Sequence, residues 1–283
     1  MPTLALLLAM ILAGSVVPAN KAVADLPLFV AACARYWLAG AILVPLAWTA
    51  WRRLPALPRR DVLLLLAQGA AGSLGFSVCM LLSLRFTGAA EASIVTGTLP
   101  AMVTLLSLLW GERASGRQWV ALLVATAGVI LLGNGAAPAS LLGAVLALLA
   151  VLGEAAFITL NRQLTTPLPP VVVAAAMSVL GAVFTLPPAL ADLAAVPQTP
   201  SSAWLAIAYH ATGPTVLGFL LWYWGAARVG GVASAPFTAA MPATGALLAW
   251  TLFREPVEAR QLAGLALVLV ALAVPFLPTR QEV

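Results

Sequence analysis

Thr96-Gly97-Thr98-Leu99-Pro100-Ala101 lies inside a long apolar run, and Thr238-Ala239-Ala240-Met241-Pro242-Ala243 lies inside another about half a chain later. Each is a threonine followed four residues on by a proline. Each leads to a polar boundary, Glu112 with Arg117-Gln118 in the first copy and Glu255 with Arg260-Gln261 in the second. A proline deep in an apolar helix removes a backbone hydrogen bond and is expected to kink the chain. The same device at matched positions predicts two copies of one unit, with Pro100 and Pro242 as hinges.

Working outward, a shift of about 142 residues superposes the halves. Asn20-Lys21 falls on Asn161-Arg162, Gly40 on Gly181, Gly75-Phe76 on Gly218-Phe219 and Arg85 on Arg228. The shared order of these matches, rather than any one of them, carries the repeat. It divides the chain into units 1–135 and 136–283.

Composition defines the solvent. Of 283 residues, 63% are hydrophobic and 8% charged, against roughly 25% charged in an average soluble domain. So few charges cannot cover a soluble surface, and lipid must solvate most of the chain. The net charge of +5 is spread between apolar runs and reads as loop charge beside a bilayer, with no nucleic acid partner. Cys33 and Cys79 both lie in apolar runs and offer neither a disulfide framework nor metal-ligand spacing.

Ten apolar runs are long enough to span a bilayer: 4–20, 27–50, 62–85, 89–110, 117–134, 140–161, 171–191, 203–226, 232–253 and 259–278. The first has no basic region ahead of it and is read as a membrane helix, not a signal peptide. The expected fold is an all-α polytopic membrane protein with ten transmembrane helices. Five helices per unit is an odd number, so the second unit enters from the opposite side, giving a 5+5 inverted repeat. With both termini cytoplasmic, the inner side carries nine basic residues and the outer side five, the sense of the positive-inside rule.

These features resemble the EamA-type ten-helix exporters of the drug/metabolite transporter superfamily. The carriers are Gly14-Ser15 with Asn20-Lys21, then Arg35, then Pro100, Glu112, Gln118 and Gly128, echoed by Pro242, Glu255, Gln261 and Gly264. One departure is Ala13-Gly14 in place of a frequent Trp-Gly pair. The resemblance implies a bacterial inner-membrane secondary transporter, usually an exporter. It would move amino acids, related metabolites or drugs by alternating access of the two halves, as a monomer or homodimer amid membrane lipid, with no cofactor.

Several side chains are candidates for substrate binding or coupling. Glu154 stands mid-way along the sixth run, where an ionised carboxylate costs roughly 2.5–3.5 kcal/mol. It reads as a contact for a substrate amine or a proton carrier; a structural ion pair with Arg35 or a protonated carboxyl bonded to a neighbouring helix is the alternative. Asn161 lies seven residues on, on the same helical face. Arg35 could hold a substrate carboxylate, so that with Glu154 it grips a zwitterion at both ends, or it pairs with Glu91 or Glu154. His210, the one histidine, suits proton coupling or a helix–helix hydrogen bond. Gln68 divides the same way.

Small residues mark close helix approach or a cavity wall. In the fourth run Ser93, Gly97, Pro100, Thr104 and Ser107 share a face, with Thr96 beside the proline. The ninth run repeats the pattern with Ala235, Ala239, Pro242 and Ala246, and with Thr238 as the match of Thr96. Trp222-Tyr223-Trp224 is expected to belong to an interfacial belt, with Trp222 the one that could floor a cavity. Glu112, Arg117, Glu255 and Arg260 read as caps or ion pairs between loops.

Two rival classes remain. Ala71-Gly72-Ser73-Leu74-Gly75 is a near-match to a nucleophile turn that would make Ser73 and His210 an intramembrane hydrolase, but it lacks the first glycine and the strand-to-helix setting. A lipid-binding or lipid-translocating protein is the other.

Overall fold

The computed structural model describes residues 1–16, 26–83, 86, 95, 97–132, 140–193, 201–253 and 258–274. Asn20, Lys21, Arg85, Glu91, Ser93, Thr96 and Glu255 lie outside these residues, as does the expected boundary between 135 and 136. Among the described residues every regular element is helical. Six helical stretches have the length and hydropathy of membrane spans. They are spans two (Leu28–Trp51), three (Arg59–Ser83), six (Leu141–Gln163), seven (Pro170–Ala191), eight (Ser201–Val229) and nine (Gly231–Leu252). Spans one (Pro2–Gly14), four (Leu99–Leu109), five (Gly116–Leu132) and ten (Ala259–Ala273) are shorter apolar helices beside undescribed residues.

Helix packing follows the repeat. Span one packs on spans eight and nine, and its match, span six, packs on three and four. Span two packs on its own match, seven, and span five on ten. These self-matched pairs reveal the inversion. Cys33 lies beside Ala182 and Gly40 faces Val179, so spans two and seven run in opposite senses. At the start of span five, the Arg117 guanidinium donates to the Val274 carbonyl just beyond span ten, while Gly128 meets Gly264. Parallel halves would make both pairs parallel.

Small residues allow this approach, as lipid offers no hydrophobic drive between helices. A methyl group on Gly128 would stand 2.8 Å from the Gly264 carbonyl oxygen, and one on Gly264 2.7 Å from that of Gly128. The outward faces of the helices carry leucine, valine and tryptophan, among them Trp37, Leu46 and Leu205.

Two features depart from uninterrupted spans. Spans three and eight each contain a π-helical turn at matched places, Ala70–Gly75 and Ala211–Leu217. Pro214 has no N–H to donate, and the Thr215 hydroxyl donates to the His210 carbonyl five residues back at 2.8 Å. Second, both prolines stand close to where regular α-helix begins. Pro100 lies in the first turn of Leu99–Leu109. Pro242 lies in the first turn of Ala240–Phe253, directly after a 3₁₀ stretch, Ala235–Ala239. Pro100 gives up an N–H that has no helical partner anyway, and at Pro242 the missing N–H falls at the change from 3₁₀ to α winding, so both prolines mark a joint in their span.

Candidate functional site

Spans four and nine run antiparallel and cross at their prolines. Ser107 meets Gly231 at one end of the contact, and Leu99, Pro100, Thr238, Met241 and Pro242 converge further along. Between them and span six lies a cavity of about 100 Å³. Glu154 supplies its carboxylate, and Phe76, Val129 and Val151 complete much of the wall. Close packing places Glu154 there. A methyl on neighbouring Gly153 would stand 2.8 Å from the Ala71 carbonyl, and Gly72 packs on Phe157. Among the described residues the Glu154 carboxylate has no hydrogen bond or ion pair.

Arg35 does not pair with Glu154. Its Nε is buried with no acceptor among the described residues, and its guanidinium lies 4.4 Å from the Tyr36 ring centre. His210 is buried at the junction of a helix and a π turn, with Nε2 unpartnered among the described residues. Ser73 donates to the Gly69 carbonyl at 2.5 Å, so Ser73 and His210 form no hydrogen-bonded nucleophile and base.

A second polar group joins spans three, six and eight. Gln68 is wholly buried, and its Nε2 donates to the Phe157 carbonyl at 2.7 Å and the Tyr223 hydroxyl at 3.1 Å. Among the described residues its Oε1 has no donor, nor does Oδ1 of Asn161, which sits in a 3₁₀ turn after the helix of span six. Trp222 and Tyr223 are buried, with Trp222 Nε1 3.5 Å from the Ile158 carbonyl oxygen. They belong to the helix-packing core and not to an interfacial belt. Phe157, Phe219 and Tyr223 stack their rings 5.3–6.5 Å apart, a cluster that the sequence signals only by aromatic content.

Sequence reasoning expected Glu112 to cap or pair but missed the partner that makes it a latch. Glu112, just beyond span four, accepts from the Gly231 and Val232 amides at 3.2 and 3.0 Å, and its carboxylate pairs with Arg162 at 2.8 Å. Arg162 in turn donates to the Ala226 carbonyl at 3.0 Å. An anion at exposed helix-start amides is favoured. Gly230, at φ 95°, turns the chain to present those amides. The expected pairing of boundary charges between loops is found at Glu112; Arg260 pairs locally with Glu258 at 2.7 Å. Glu112 recurs in the repeat, but nothing in sequence spacing pointed to Arg162 as its partner.

A bundle of apolar helices related by inversion, with a mid-span carboxylate in a cavity between its halves, defines a polytopic membrane transporter. The chain belongs to the EamA-like transporter family, which matches it twice, at residues 2–134 and 141–277. It is 30% identical over 283 positions to Uncharacterized transporter YetK of Bacillus subtilis, covering 96% of this chain and 86% of that protein. It is 32% identical over 98 positions to Inner membrane protein YtfF of Escherichia coli, covering 34% of this chain and 30% of that one. A solved crystal structure shares the fold with a TM-score of 0.77 at 22% identity, over 97% of this chain and 96% of its own.

Proposed function

We propose that the chain is a secondary transporter that exports a small amine-bearing metabolite, with amino acids and related zwitterions first in line, across the bacterial inner membrane by alternating access. The observation that carries this reading is the Glu154 carboxylate, unpaired among the described residues, facing a cavity walled by both proline-jointed spans. A carboxylate held inside a membrane needs a cationic partner or a proton. The cavity gives room for either, and Arg35, whose Nε has no acceptor among the described residues, is the group for the other end of a zwitterion.

Jointed spans support the alternation. Span nine changes from 3₁₀ to α-helix at the cavity, and the regular helix of span four begins there, so each can bend at that point while its far half stays packed. The Glu112–Arg162 latch ties the ends of spans four, six and nine on one side. That side also holds the N-terminus, since Pro2 lies against Gly225, and the loop with Arg52, Arg53, Arg59 and Arg60. The positive-inside rule makes it cytoplasmic. The name of the Escherichia coli relative agrees with an inner membrane.

The test is counterflow of radiolabelled amino acids into liposomes, after a thermal-shift screen to choose the ligand. The expected result is exchange by the wild type that Glu154→Gln abolishes, with a pH jump driving flux only in the wild type. Wild-type flux in Glu154→Gln would overturn the assignment.

A further inference from the structure

Away from the transport cavity, the ends of spans two and seven and the start of span three enclose a groove of about 660 Å³. This lies within the roughly 300–1,000 Å³ usual for small-molecule pockets. Val44, Trp48, Trp51, Leu66, Ala176 and Val179 line it, and among the described residues no charged, hydroxyl or amide side chain does. Trp48, Trp51 and Val179 stand exposed on the outer surface of the bundle. A polar metabolite would find no partner here, so the occupant must come from the bilayer.

Charge at the mouth decides which lipid. The loop that roofs the groove through Leu54, Pro55, Ala56 and Leu57 is flanked by Arg52, Arg53, Arg59 and Arg60. All four are exposed, and none has an ion pair among the described residues. The nearest carboxylate is already engaged. Asp61 accepts from the amides of Thr165 and Thr166 at 3.0 and 2.9 Å and from the Thr165 hydroxyl. Four uncompensated guanidinium groups beside an apolar slot match a phosphate head joined to an acyl chain.

The inverted repeat supplies the control. Exchanging the halves carries the groove to the opposite end of spans two and seven. There Leu26, Val30, Cys33, Ala189, Ala203 and Ile207 pack against one another. At that end the described residues pack on one another, whereas the end with the arginines holds the groove.

We infer that this groove is a binding site for an anionic glycerophospholipid, with an acyl chain along Trp48 and Ala176 and the phosphate at the arginine loop. The experiment is native mass spectrometry of the intact protein after exchange into mixed micelles with equal phosphatidylglycerol and phosphatidylcholine. Wild type should retain about tenfold more phosphatidylglycerol, given the attraction of a basic cluster for anionic lipid. Replacing the four arginines together by glutamine should bring the two lipids to parity. Ala176→Phe, which fills the slot and leaves the charges, should lower retention of phosphatidylglycerol severalfold. Equal retention of both lipids by the wild type overturns the inference, and so does undiminished retention by Ala176→Phe. These two measurements decide it even if the fourfold variant fails to fold.

Discussion

With Asn20 placed on Asn161, Glu154 of span six falls on Ala13 of span one. With Gly40 on Gly181, Arg35 falls on Ala176, and with Gly75 on Gly218, Gln68 falls on Ala211 and His210 on Ala67. All four polar groups thus have alanine at the matched place in the other repeat. The helices around them nevertheless pack in matched pairs, down to the π-helical turns of spans three and eight. The scaffold therefore needs only a small side chain at these points. Among the described residues each of the four keeps an unpartnered polar atom or a lone charge, which is costly inside a membrane. A cost that the fold does not require points to substrate or proton handling.

The sharpest way to break this comparison is to make the repeats alike. Glu154→Ala gives span six the residue that span one already has. Counterflow in liposomes should fall at least about a hundredfold, as for a group whose charge the transport step uses, while the thermal midpoint in detergent stays at or above the wild-type value. Loss of folding together with flux would make Glu154 a structural residue and remove the contrast.

Where the repeats meet each other, small size itself is the requirement. Gly264→Ala places a methyl 2.7–3.0 Å from backbone atoms of Gly128, Leu131 and Leu132. Backbone cannot turn aside as a side chain can. The expected destabilisation is about 3 kcal/mol, the upper part of the range for overpacking, read as a lower unfolding midpoint. A neutral Gly264→Ala would mean that spans five and ten are not the fixed contact between the halves.

Unlike the four groups above, the latch uses residue types that recur. Glu112 and Arg162 match Glu255 and Lys21 in sequence, though that second pair lies outside the described residues. Glu112→Ala removes two amide caps and an ion pair whose side chains are 27% and 23% exposed. Discounted for solvent screening, the loss should be about 1–2 kcal/mol, again seen in the unfolding midpoint. An unchanged midpoint would reduce the latch to a surface contact.

Much of this architecture was legible in the residues. Ten spans followed from hydropathy, the inversion from matched landmarks in units of odd helix number, and Glu154 from the cost of a carboxylate between Gly153 and Ala155. Thr238 and both prolines were also placed at the cavity. Local winding was not legible. A π turn arises when glycines and Pro214 leave backbone groups free to shift register, and no side-chain period announces it. Nor does hydropathy tell whether a proline bends a helix or begins one, because that depends on the turn before it. Trp222 and Tyr223 misled for a related reason. Aromatic pairs near a span end serve belts and cores alike, and only Gln68 and Ile158, on other helices, decide between them.

The smallest expected effect divides a pair that sequence alone treats as equal. Gly40 and Gly181 hold matched positions in spans two and seven, which pack on each other. A methyl on Gly181 would stand 2.8–2.9 Å from three ring carbons of buried Tyr36, whereas the nearest atom to one on Gly40 is a Val179 methyl at 3.9 Å. Tyr36 has Met177 as its counterpart across the repeat, a narrower and more pliant side chain, so the glycine facing the ring is the one under constraint. Gly181→Ala should cost about 1 kcal/mol, since the ring must shift by a fraction of an ångström. Gly40→Ala should lie within about 0.5 kcal/mol of the wild type, with helix propensity in its favour. Equal midpoints for the two variants would show that the packing of spans two and seven is as symmetric as their sequence match, and that the asymmetry ends at the polar residues.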